Sequence, residues 1–315
     1  MRDIITVYSD SNIEEIKMQN QHLLGFVLVC CAGLMWSFGA PIIRSLDHVE
    51  LYRYQYLISR MFVAAPIILL YILYRDRRNV FNNIKRINRF SLLGALCLAL
   101  SSIGWIYALT ITSVAVPMLM FATAPLLSGV LGYFLLGEVL SRTTIMNTML
   151  VIVGVFIMVI GAVDENIALG AFLGFLVALG FSIFTITLRY NPDTPKLLTP
   201  ALSMIFTALF CAMILLYYGD SFIMPVKNIQ LSLLHGLFGS VGIILYVLGS
   251  KYLPTVELAM LSLVDIVFGI FWVWVPFIGI NETPESNTLI GGVFILGAII
   301  FQGLKARKTQ SKAVP

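Results

Sequence analysis

The sequence predicts an all-α polytopic membrane protein, with ten transmembrane helices in two five-helix halves of opposite orientation. Three observations lead there. The 315 residues are 59% hydrophobic and only 11% charged, with a mean hydropathy of +0.94. Soluble domains carry about 25% charged residues, so this chain lacks the side chains to cover a surface facing water. Its apolar residues fall into ten runs, each long enough to cross a bilayer. The two halves of the chain share a faint pattern at an offset near 145 residues.

A hydrocarbon core about 30 Å thick needs about 20 helical residues to cross it. The first five runs are Leu23–Ile43, Gln55–Tyr74, Ser91–Leu109, Val114–Leu136 and Thr144–Gly161. The second five are Ala168–Leu188, Leu198–Tyr218, Ile229–Leu248, Thr255–Val275 and Asn287–Leu304. None alternates in the manner of a barrel strand. Residues 1–21 are polar and acidic, a poor leader peptide, and read as a cytoplasmic tail, partly helical. Residues 306–315 form a basic cytoplasmic tail. With the N-terminus in the cytoplasm, sixteen of the twenty lysines and arginines fall inside. Arg44, Arg53 and Lys227 fall outside, and Arg60 lies within the second run. This asymmetry puts both termini in the cytoplasm and the protein in the cytoplasmic membrane among its lipids. The loops are too short to hold a soluble catalytic domain. Cys30, Cys31, Cys97 and Cys211 lie in apolar runs without a CxxC pair, as small buried hydrophobes do. No metal site, cofactor or nucleic-acid partner is expected.

The repeat divides the membrane part into residues 22–162 and 163–305. MWSFGAPIIRSL carries Ser37 and Arg44, and GFSIFTITLRYN carries Ser182 and Arg189 at the same offset. Later in each half, VLGYFLLGE ends at Glu138 and FWVWVPFIGINE at Glu282. Five spans is an odd number, so the second half must be inverted. ALTITSVAVPMLMFATAPLLSGVLGYFLLGE and YLPTVELAMLSLVDIVFGIFWVWV carry a resemblance to the drug/metabolite transporter superfamily, of the type with two EamA domains, covering about Leu23 to Leu304. The sequence departs from that family at Asp265-Ile266, where relatives often have glutamate followed by proline, and at the second glutamate, which sits in INETPE. The resemblance implies a ten-helix permease with a central cavity. It implies that the first, third, fourth, sixth, eighth and ninth helices line the route, with the fifth and tenth peripheral.

Asp265 is the residue that most needs a reason. It is the eleventh of the 21 residues in its run, near the midplane, where an acid costs about 2.5–3.5 kcal/mol on insertion scales. Either it faces a cavity, as a proton-coupling site or the counter-ion of an amine, or it is a neutral acid bonded to a neighbouring helix. Glu257 stands in the first turn of the same run, at the cytoplasmic interface. A helix dipole stabilises an acid there, and it is the second proton-coupling candidate. The two are separated by about 12 Å of rise and roughly 80° around the axis, so they form no carboxylate dyad. Arg60 snorkels to the outer interface, pairs with Asp265 or binds a substrate carboxylate. Trp36, Trp105, Tyr107, Phe181 and Tyr246 supply aromatic walls on the expected cavity helices, suited to an organic cation. Ser37 lies beside Trp36, where Pro41 frees a backbone carbonyl and loosens the helix; Pro66 and Pro125 have the same capacity. The substrate-binding set is thus Trp36, Ser37, Arg60, Trp105, Tyr107, Phe181, Tyr246 and Asp265. His235, in the outer part of the eighth run, reads as a buried, hydrogen-bonded histidine or a proton relay.

The leading function is a secondary transporter of a small metabolite, such as an amino acid, an amine or a nucleoside-like solute, working as a monomer or homodimer. The alternatives are an intramembrane enzyme and a channel-like facilitator. There is no Walker motif, HExxH or GxSxG. No charge ring or filter loop of a channel is evident.

Overall fold

The computed structural model describes residues 2–137, 142–160, 166–190, 196–253, 258, 261–262, 264–276 and 279–311. Glu138 and Glu257 lie outside the described residues. Among the described residues the regular structure is entirely helical. The first half holds α1 (Arg2–Ser37), α2 (Gly39–Arg44), α3 (Val49–Asp76), α4 (Val80–Lys85), α5 (Arg89–Ile111), α6 (Ala115–Phe121), α7 (Ala124–Leu136) and α8 (Arg142–Val159). The second holds α9 (Asn166–Tyr190), α10 (Leu198–Tyr218), α11 (Val226–Gly249), α12 (Val264–Trp274) and α13 (Ser286–Ser311).

Among the described residues, seven stretches are long and apolar enough to cross a membrane: Asn20–Arg44, Val49–Asp76, Arg89–Ile111, Ala115–Leu135, Asn166–Leu188, Leu198–Tyr218 and Val226–Gly249. Three shorter apolar helices, Ile145–Ile157, Val264–Trp274 and Ser286–Ala298, fall in the remaining predicted runs. Large apolar side chains such as Phe62, Phe134, Phe156 and Val293 remain exposed, as they do on a surface that meets lipid rather than water. This is an integral membrane protein.

Hydropathy located the helices but not their ends or breaks. The tail is not partly helical but wholly so, from Arg2 straight into the first span. The second helix starts at Val49 rather than Gln55, because its polar first turns are helical too, with one non-helical residue at Tyr52. Pro66 leaves that helix continuous. Pro41 and Pro125 do not. Pro41 has no N–H for the carbonyl of Ser37, and the chain breaks at Phe38 between α1 and α2. Pro125 likewise leaves the carbonyl of Phe121 without its partner, and Ala122 and Thr123 separate α6 from α7. The Thr123 hydroxyl and the Thr123 N–H both donate to the carbonyl of Met120, at 2.7 and 3.0 Å. The predicted ninth run is also not one unbroken helix. Ser262 is in a turn, the Asp265 N–H donates to its carbonyl at 3.0 Å, and α12 begins at Val264.

The helices pair in a reciprocal way. α1 packs on α11 and α12, while α9 packs on α5 and on α6 and α7; α3 packs on α10, and α8 on α13. The buried hydroxyl of Ser37 accepts from Trp272 of α12, and that of Ser182 donates to the carbonyl of Ala124 at the start of α7. Two apolar clusters fill the interior. One holds Ile43, Tyr56, Leu109, Val114 and Val273, towards the end of the bundle where Arg44 lies. The other holds Val29, Ile72, Leu188, Leu197 and Tyr246, towards the opposite end. Phe121 and Met204 pack against both.

At the Arg44 end, one ion pair ties three separate segments. Arg44 Nε donates to Glu282 Oε2 at 2.6 Å, and Nη2 donates to the carbonyl of Thr112 at 2.5 Å. Glu282 Oε1 accepts from the N–H of Val114 at 2.5 Å, and the Glu282 N–H donates to the carbonyl of Val273 at 3.0 Å. Both side chains are about four-fifths buried, where charge-assisted bonds contribute about 1.5–3 kcal/mol. Arg44→Ala and Glu282→Gln are each expected to lower the melting temperature of the detergent-solubilised protein. The Arg44→Ala/Glu282→Gln double variant should fall by clearly less than the sum of the two, as coupled neighbours do.

Candidate functional site

The breaks in the helices surround a cavity of about 150 Å³. Trp36 precedes the break at Phe38, Phe121 precedes the break at Ala122, and Asp265 opens α12; all three line this cavity. Irregular backbone at membrane depth is tolerated where it is buried in protein or lines a cavity.

Of the residues singled out from the sequence, Trp36, Arg60, Trp105, Phe181 and Asp265 line this one space. Ser37, Tyr107 and Tyr246 do not. Ser37 is fully buried, donating to the carbonyl of Leu34 at 2.7 Å and accepting from Trp272 at 3.0 Å. Tyr107 lies under the guanidinium of Arg53, 4.3 Å from its ring centroid. Tyr246 stands behind the wall, its ring 5.4 Å from that of Trp36 and 5.8 Å from that of Phe181. The aromatic wall is continuous: Trp105 meets Phe121 at 5.5 Å, and Phe121 meets Phe181 at 5.2 Å. The Trp36 indole is fixed by its N–H, which donates to the carbonyl of Gly239 at 3.3 Å.

Asp265 and Arg60 each have a buried side-chain atom without a protein partner. Asp265 is 7% exposed, and its Oδ1 has no hydrogen-bond partner. Arg60 does not snorkel out; its Nε is buried in the cavity wall without a partner. Nor does it pair with Asp265, since no ion pair joins them among the described residues. The Arg60 backbone is held against α11, where its carbonyl would lie 2.5 Å from a methyl group on Gly236. This close approach keeps the side chain inside the bundle.

Several lining residues gave no clear signal in the sequence. The second and seventh spans take part, through Arg60 and Met61 on α3 and through Pro200, Ser203, Met204 and Thr207 on α10, beyond the six helices expected. Ser203 and Thr207 lie one turn apart, a spacing that does mark one polar face on an otherwise apolar helix. The Ser101 hydroxyl is engaged by the carbonyls of Cys97 and Val177, while Ser102 Oγ is buried and unpartnered. His235 lines the cavity and is hydrogen-bonded through Nδ1 to the Tyr56 hydroxyl. Among the described residues, none from the fifth or tenth run lines this cavity. Among the described residues no three His, Cys, Asp or Glu side chains come together as metal ligands.

The model of the EamA-like transporter family matches twice, over residues 23–160 and 168–303. The chain belongs to that family. This EamA-like transporter is also similar to a solved structure titled "Crystal structure of protein", with a TM-score of 0.64 and 17% identity. The match covers 92% of this chain and 99% of the other, and at that identity it speaks to the fold. No curated protein matches the sequence.

The transporter's cavity wall depends on close contact between α11 and the first span. A methyl group on Gly242 would stand 2.6 Å from Cδ1 of the Trp36 indole, inside van der Waals contact. Gly242→Ala is therefore expected to push Trp36 off the carbonyl of Gly239. It should lower the melting temperature and change the intrinsic tryptophan emission. Unchanged emission would mean that Trp36 is not held there.

Proposed function

We propose that this EamA-like protein is a secondary active transporter of a small zwitterionic metabolite of amino-acid type, working by alternating access. The observation that carries this reading is the pair of buried ionisable groups in one cavity, each with an atom that has no partner. A buried charge needs a partner, and Arg60 and Asp265 do not partner each other. A solute with a carboxylate and an ammonium group answers both. The carboxylate goes to Arg60, whose planar fork suits it. The ammonium goes to Asp265, with Trp36, Trp105 and Phe181 as apolar and cation–π surface. A simple amine, by contrast, leaves Arg60 unanswered. A nucleoside carries neither a carboxylate nor an ammonium group at neutral pH and leaves both groups unanswered.

The two halves, 22–162 and 163–305, work as inverted five-helix units with ten spans in all. The reciprocal helix pairing supports this, as do the bonds that the buried Ser37 and Ser182 hydroxyls each make to a helix of the other half. The clustering of lysine and arginine supports a protein of the cytoplasmic membrane with both termini inside. Asp265 is the proton-coupling group, taking up a proton when no ammonium occupies the site; Glu257 remains the second candidate. Substrate passes between the two ends of the bundle as the apolar clusters open in turn.

The test is transport in proteoliposomes. Small neutral amino acids such as alanine and serine should be taken up saturably and show counterflow. Flux that does not saturate would point to a channel, and chemical turnover to an enzyme. Asp265→Asn should abolish accumulation driven by a pH gradient; unchanged accumulation sinks the coupling role. Arg60→Gln should raise KM about tenfold or more, as expected on losing a bond to a charged group.

A further inference from the structure

The glycines of α11 meet very different surroundings. A methyl group on Gly236 would stand 2.5 Å from the carbonyl oxygen of Arg60, and one on Gly249 would stand 2.6 Å from Cγ2 of Val29. On Gly242 it would overlap the Trp36 indole. At these three positions helix packing requires glycine. Gly239 is different. A methyl group there meets only Nη2 and Nε of Arg60, at 3.8 and 4.0 Å, and no other heavy atom within 4 Å. Packing does not exclude a side chain at this position, and alanine is the better helix former. Gly239 also faces the cavity, so the volume it leaves empty belongs to the cavity and not to a helix contact.

The two nitrogens that Gly239 faces form one edge of the guanidinium. A carboxylate docks on such an edge with two parallel N–H···O bonds of about 2.7–2.9 Å. Arg60 Nε, half of that edge, is buried and unpartnered. We infer that Gly239 is a specificity-determining residue: its missing side chain keeps the Nε/Nη2 edge of Arg60 open as the seat for the anionic group of the transported solute. This rests on the zwitterion reading above and adds the position that admits the carboxylate. A methyl group at 239 stands at contact distance from both donors, so it competes with carboxylate oxygens for the same space while leaving the neighbouring helices where they are.

Two measurements test this. In proteoliposomes, Gly239→Ala should keep a melting temperature close to that of the wild type, unlike Gly242→Ala. Its KM for alanine or serine should rise about tenfold or more, the loss of one charge-assisted bond, with the maximal rate within about twofold. A KM equal to that of the wild type overturns the inference. Should the wild-type protein carry no zwitterion, the proposed function falls, and a second arm decides the inference separately. Gly239→Cys is treated with an anionic and a cationic methanethiosulfonate, each rate normalised to a free thiol and corrected for labelling of the wild type. Faster reaction with the anionic reagent, reduced by Arg60→Gln, supports an anion seat at this position. Equal or reversed rates, or rates indifferent to Arg60→Gln, overturn it.

Discussion

Arg60 and Asp265 occupy the wall of one cavity, deep in a bundle whose outer surface is lipid-facing, and they do not form an ion pair. In water such a separation would have little consequence. Inside an apolar bundle each charge is costly until something answers it. If the two groups met, the bundle would close around a neutral pair and the cavity would have no electrostatic preference. Kept apart, they give it two poles. Arg60 is held by the close approach of its own backbone to Gly236. Asp265 is held by the turn at Ser262, which makes it a first-turn residue of α12 rather than the middle of a long helix. There the dipole of α12 also favours a carboxylate, so the same break that opens the cavity gives its acid a backbone to lean on.

Backbone in hydrocarbon cannot leave carbonyls unsatisfied, and the helix breaks are built accordingly. At Phe38 and at Ala122–Thr123 a proline removes a donor, and nearby hydroxyls of Ser37 and Thr123 take up part of the local hydrogen bonding. Both breaks are placed between the two apolar clusters rather than towards lipid. The bundle therefore gathers its helix breaks, Arg60 and Asp265 around one cavity, with an apolar cluster towards either end.

Much of this was legible in the sequence, for plain physical reasons. Twenty-residue apolar runs have few alternatives to spanning helices, and an acid in the middle of one marks a site. That logic singled out Asp265, Arg60 and Trp36 together. It did not separate Tyr246, which backs the cavity wall, from Trp36, which forms it, because both are aromatic residues on the right helices. It did not tell which way Arg60 points, because that depends on a glycine of another helix, 176 positions away. The bond between His235 and Tyr56 and the pair of Arg44 with Glu282 were equally hidden, joining residues far apart in the chain. The turn at Ser262 has no proline to announce it, and a hydropathy window reads straight through.

The Arg44–Glu282 pair has a mechanical side. It gathers the end of α2, the Thr112–Val114 connection and the chain following α12 into one knot. These belong to the same end of the bundle, so any motion that parts the helices there must pull on a bond between unlike charges. The pair is in direct contact and about four-fifths buried, far inside the screening length of about 8–10 Å at ordinary ionic strength, so dissolved salt weakens it little. The knot thus keeps the stiffness of one mouth of the protein nearly independent of the electrolyte bathing it, whatever the cargo inside.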